Sequence, residues 1–152
     1  MQDTQDKDRF RHAEKCLYGY KRNVACLKVL REDLRVLEAS TDVHAQNYQY
    51  QFTETNVPSN PIEARQIKME ALQARIRRLE RCTNPITELM RDLTSPDVLN
   101  GSSNLALMEI LKLMYFGGNT PDVIISTLNI ARRTFFKRRR ELVNIAITYL
   151  AF

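Results

Sequence analysis

The 152-residue chain has no tryptophan, four glycines, two histidines and three cysteines, and each shortage removes a class of chemistry. With so few glycines there is no glycine-rich loop to cradle a phosphate. His12 and His44 belong to no HExxH or HxxxH pattern, and neither has the spacing to a cysteine that a nucleophile pair or a metal site would show. Cys16, Cys26 and Cys82 are widely separated, unlike a zinc ribbon or a disulfide framework, so reduced thiols packed between helices are expected, with no metal and no cofactor. The carboxylates are interspersed with basic residues at helical spacing, which explains them as surface pairs rather than acid–base catalysts, and no enzyme is expected. No apolar run approaches the roughly 20 residues that cross a bilayer. The opening MQDTQDKDRF lacks the basic-then-apolar order of a secretory leader, so a cytoplasmic location is expected.

What is present is helical periodicity. Hydrophobic residues make up 43% of the chain, enough for a core. Phe10, Ala13, Leu17, Tyr20, Val24, Leu27, Leu30, Leu34 and Leu37 recur at gaps of three and four, which predicts one long helix over 4–39. Residues 40–60 read as a polar loop in which Tyr48, Tyr50 and Phe52 alternate with glutamine. A second helix is expected over 61–93, with Ile62, Met69, Leu72, Ile76 and Leu79 as the stripe that pairs antiparallel with the first helix and a break or kink at Asn84-Pro85. Residues 1–94 therefore read as a helical arm, 95–103 as a linker, and 104–152 as a separate domain. The third helix, over 104–116, should point Leu107, Ile110, Leu111, Met114 and Tyr115 inward and stop at Gly117-Gly118.

The net charge of +5 is unevenly spread. Asn119 to Phe152 carries Arg132, Arg133, Lys137, Arg138, Arg139 and Arg140 against only Asp122 and Glu141, which marks this segment as the anion-binding end. Its first part reads as a short helix capped by the Thr120 hydroxyl, begun by Pro121 and given an apolar side by Val123, Ile124 and Leu128. Asn129 then supplies a residue tolerant of positive φ, and Ile130 plugs the angle to the next helix. That helix buries Phe135, Leu142, Ile145 or Ala146, and Tyr149, and shows its cations on the other face. An apolar stripe opposite cationic donors is the geometry of a recognition helix in a major groove.

From Thr120 through Leu128-Asn129-Ile130-Ala131 to Arg133-Thr134-Phe135-Phe136 the chain resembles the helix-turn-helix of sigma-factor region four. It resembles still more closely the ArpU and RinA type of phage late-gene transcriptional regulators. Two positions depart from that pattern: Ala131 replaces a capping serine, and Arg138 replaces a buried aliphatic residue, from where it is expected to snorkel to a phosphate. The resemblance implies an all-α, sequence-specific double-stranded DNA-binding regulator acting as an activator of phage or prophage late genes in the cytoplasm of a bacterial host. DNA-binding residues would be Arg132, Arg133, Thr134, Phe136, Lys137, Arg138, Arg139 and Arg140. Further partners would be RNA polymerase and a second copy of the chain, paired through the arm. Two other classes share these features: a phage DNA-packaging recognition subunit of the small-terminase type, and a helical protein-interaction adaptor.

Overall fold

A computed structural model describes residues 2–40, 61–95 and 102–151, and the described chain is all-α. The helices are α1 (Gln2–Ala39), α2 (Pro61–Thr94), α3 (Ser102–Ile110, continuing as a π-helix over Leu111–Phe116), α4 (Pro121–Leu128) and α5 (Arg132–Leu150). None is long and apolar enough to cross a membrane. The aromatic stretch Tyr48, Tyr50 and Phe52, with nearly all of the expected loop and most of the expected linker, lies outside the described residues.

Pro61 opens α2 at the first helical position, where its missing N–H needs no partner, and Glu63 sits in the first turn near the positive end of the helix dipole. The expected interruption at Asn84-Pro85 does not occur, and α2 runs through Pro85 to Thr94. An interior proline costs about 3 kcal/mol or more. Just beyond it, Ile86 and Leu89 are almost wholly buried and Leu93 nearly so, and this packing holds the helix together across the missing hydrogen bond.

The chain forms two compact units. The smaller, Val24–Glu80, pairs the second half of α1 with the first part of α2. Its core is Leu27, Leu30 and Ile76, flanked by Leu34, Leu72 and Leu79. Arg31 donates to Glu80 at 2.7 Å, and Arg65 donates to the carbonyls of Leu37 and Glu38, so within this unit the earlier residue of α1 meets the later residue of α2 and the two segments run antiparallel.

The larger unit comprises Met1–Asn23 and Arg81–Phe152. The expected division at 95–103 is therefore displaced: the start of α1 and the end of α2 belong with the C-terminal helices. Ala13, Leu17, Ile86, Leu89 and Leu93 share one core with Leu107, Ile110, Leu111, Met114, Ile124, Phe135, Leu142, Val143 and Ala146. The physical reason is size, since three short helices of about fifty residues bury too little apolar surface to stand alone and recruit the long helices as a floor.

Within this unit α3 widens near its end. Gly117 N–H donates to the Lys112 carbonyl at 2.8 Å, a five-residue step that brings Met114 and Tyr115 together on the buried side. Gly118, at φ +68°, turns the chain out of the helix. Thr120 stands at the start of α4 in an extended conformation, but its hydroxyl makes no capping bond, contrary to expectation. Its carbonyl accepts from Ile124 N–H instead. Ile124 is wholly buried, whereas Val123 is 49% exposed and the half-buried Ile125 packs against the core in its place. Asn129 adopts the left-handed conformation expected of it, φ 50° and ψ 49°, and Ile130 packs into the core between α4 and α5.

Candidate nucleic-acid interface

Helix α5 divides cleanly by side. Phe135, Leu142, Val143 and Ala146 are buried, and Tyr149, half-buried, donates its hydroxyl to Asp92 at the end of α2. That bond to a carboxylate raises the pKa of the Tyr149 phenol to about 12, with burial adding to it. On the opposite side Arg133, Phe136, Lys137, Arg140, Glu141, Asn144, Ile145 and Thr148 line an open concavity of about 1220 Å³. These positions follow the three- and four-residue steps of one helical face.

Four of the eight expected DNA-binding residues, Arg133, Phe136, Lys137 and Arg140, thus share one exposed surface. Arg133, Lys137 and Arg140 make no ion pair among the described residues. Phe136 is 37% exposed and meets the buried Phe135 edge-on at 5.1 Å between ring centroids. The Arg132 guanidinium lies over the Phe136 ring, 5.5 Å from its centroid, and donates to Asp122 at 3.0 Å. Both partners of that pair are well exposed, and such a pair contributes only about 0–1 kcal/mol, so a phosphate can displace Asp122 at little expense. Thr134 and Arg138 are half-buried.

Arg139 is a correction. It is not offered to a phosphate, because its guanidinium donates twice to Glu14 Oε1 on α1, at 2.6 and 3.0 Å, and the Tyr115 hydroxyl donates to the same oxygen at 2.9 Å. Burial alone would lower the arginine's pKa, but the bonds to Glu14 and Tyr115 outweigh it and raise it. Burial and the Glu14 charge raise the pKa of the Tyr115 phenol, so it remains a proton donor throughout the ordinary pH range. The side chains of Arg139 and Glu14 are 27% and 17% exposed, so loss of either partner leaves a charge short of solvent. Glu14→Ala and Arg139→Ala are each expected to lower stability by about 1–3 kcal/mol. In a denaturant double-mutant cycle the paired substitution should cost clearly less than the sum of the two, and strict additivity would show that the contact carries no energy.

Three features go beyond the sequence reading. Asn144 lies on the exposed face, seven residues beyond Lys137, and its amide has the donor and acceptor that a base edge requires. Ile145 and Ala146 were interchangeable in the periodicity; the structure buries Ala146 and leaves Ile145 at the concavity. Away from α5, the ligand atoms of His12, Cys16 and Cys82 lie within 4.8 Å of one another, contrary to the expectation that no histidine meets a cysteine. Burial, with a hydrogen bond to Cys82, pushes the Cys16 thiol up to about 12. A thiol held protonated in this way is no nucleophile.

Compared with protein-family models, with curated proteins and with solved structures, the chain finds no match in any of the three.

Proposed function

We propose that the protein is a double-stranded DNA-binding regulator whose recognition element is the exposed face of α5. The observation that carries this reading is the set Arg133, Lys137 and Arg140, which share one open helical face with Phe136 and Asn144. That helix follows a tight turn closed by left-handed Asn129, which supports reading α4, the turn and α5 as a helix-turn-helix. Charge placement supports it. Arg132 and Arg133 occupy the first turn of α5, at the positive end of its dipole, with no acidic residue there and no side-chain cap on Ala131. Cations at that end each cost about 0.3–1 kcal/mol, a deficit that a DNA phosphate at the helix start removes.

In this arrangement the N-terminal part of α5 enters the major groove. Arg133 is placed to hold the O6 and N7 of a guanine with two hydrogen bonds, a contact worth about 1–3 kcal/mol of discrimination. Lys137 and Arg140 extend the same face and neutralise phosphates, and Arg138 reaches one from the core edge. Phe136, positioned by Arg132, offers its ring to a thymine methyl. By its likeness to phage late-gene regulators, the same reading makes the protein an activator of late transcription. The pairing of two copies is supported by Val24, Val29, Val36, Ile62 and Ile67 of the smaller unit, which remain exposed on α1 and α2. A dimer would present two recognition helices to two half-sites.

Selection from a pool of random duplexes tests this function. The intact protein should return a defined motif, and Arg133→Ala should recover a pool degenerate at one guanine while keeping its affinity for unselected DNA. A wild-type pool with no enriched motif would remove sequence-specific reading from the account. Equal weakening of selected and scrambled duplexes by Arg133→Ala would move base reading away from the first turn of α5.

A further inference from the structure

The His12, Cys16 and Cys82 cluster lies within the larger unit, away from α5, and DNA recognition does not use it. His12 and Cys16 are four residues apart on α1, which puts them on one helical face one turn apart, and Cys82 comes from α2. Cys16 is 5% exposed and part of the core, Cys82 is half-buried against that core, and His12 is exposed. We propose that these three side chains form a binding site for one thiophilic divalent metal ion of the zinc class, with two thiolates and one imidazole as ligands and solvent in the fourth position.

The donor set is the first reason. Two cysteine sulfurs and a histidine nitrogen form a ligand combination that selects zinc over magnesium or calcium, which require oxygen. Distance is the second. On a tetrahedral ion with bonds of about 2.3 Å to sulfur and about 2.0–2.1 Å to nitrogen, ligand atoms stand roughly 3.5–3.8 Å apart. The three atoms already lie within 4.8 Å of one another, so side-chain rotations of about an ångström complete the site without moving a helix. Burial is the third, because an apolar floor beneath the sulfurs strengthens the ionic bonds, while the exposed imidazole marks the side from which the ion enters. On binding, each sulfur exchanges its proton for the metal, the two protons pass to solvent, and the neutral imidazole contributes a lone pair without losing a proton. No electrons are transferred. The bound ion would fasten the first half of α1 to the second half of α2, stabilising the folded state in proportion to its occupancy.

The test uses the full chain, kept reduced with a phosphine that does not compete for metal, and titrated with Co2+ and then Zn2+. Expected results are a thiolate-to-cobalt charge-transfer band that saturates at one ion per chain, its loss on adding Zn2+, and a melting temperature raised by about 5–10 °C at a hundredfold excess over Kd. Cys82→Ser and His12→Ala lie away from the deepest core and should fold, yet the first should abolish the band and the second weaken metal binding at least tenfold. Cys26→Ser, in the smaller unit, should change nothing. Absence of the band in the reduced wild type overturns the proposal, as does a band that survives Cys82→Ser. If the protein purified in air holds a Cys16–Cys82 disulfide and its reduced form takes up no metal, the cluster is a redox pair rather than a metal site.

Discussion

Phe135→Ala is expected to lower the stability of the larger unit by about 3–5 kcal/mol. Phe135 is the largest of the fully buried side chains among the described residues, and it stands where α5 leaves the turn and meets the core to which all five described helices contribute. Removing its ring forfeits both the transfer energy of the aromatic group and the packing around the cavity left behind, which a close-packed interior fills only in part. Native domains are stable by only about 5–15 kcal/mol, so this single change removes a large share of the unit's stability. Phe136→Ala, one residue on, should cost no more than about 1 kcal/mol, because the ring is 37% exposed and gives up little besides its contact with Arg132 and an edge of Phe135. Thermal melts of the two variants should differ by well over 10 °C. Equal melts would place the helical register of α5 one residue out.

The second large effect is on binding. Arg133, Lys137 and Arg140 exchanged together for glutamine should weaken binding to a selected duplex by at least about 60-fold at 0.1 M salt, since each phosphate left by Lys137 and Arg140 costs a factor of about eight there and the lost guanine contact of Arg133 adds to it. Stability should change little, because all three side chains are exposed and none takes part in an ion pair among the described residues. Circular dichroism and melting of the variant separate the two effects, and a weakening smaller than threefold in a folded variant would show that DNA lies elsewhere.

Much of this arrangement was legible in the residues. Most of the gaps of three and four in α1 and α2, the inward set Leu107, Ile110, Leu111, Met114 and Tyr115, and the left-handed turn at Asn129 follow from local rules, and the structure agrees with them, whereas Val24 and Ile62, members of the expected stripes, stand exposed. What escaped depends on pairings distant in sequence. Arg139 lies four residues after Phe135 and three before Leu142, on the apolar stripe itself, and a cation there requires an internal carboxylate. The carboxylate is Glu14, 125 positions away, which periodicity cannot identify. Arg138 drew attention because it departs from the resembled pattern, but the inward cation is its neighbour. The exchange of helices between the two units escaped for the same reason, as one uninterrupted stripe along α1 gives no sign that its halves serve different cores. His12 and Cys16 did carry a local sign, since four residues on a helix is one turn, but the third member of the cluster arrives from α2. Pro85 is the reverse case: the local rule demanded an interruption, and burial of Ile86 and Leu89 overrode it.

The central claim, that α5 grips DNA through its exposed cations, meets its most direct test in the salt dependence of binding by the intact protein. Counting Arg132, Arg133, Lys137, Arg139 and Arg140 from sequence alone predicts a slope of about −4 to −5 for log K against log salt. With Arg139 held by Glu14 and Arg133 reading a base, phosphate contacts remain from Lys137, Arg140 and Arg138, with Arg132 as a fourth, and the slope should fall to about −2.7 to −3.6. Arg139→Ala should leave that slope unchanged, and the triple exchange, which removes the Lys137 and Arg140 contacts, should make it shallower by about 1.8. A wild-type slope near zero on a duplex drawn from the selected pool would contradict the account.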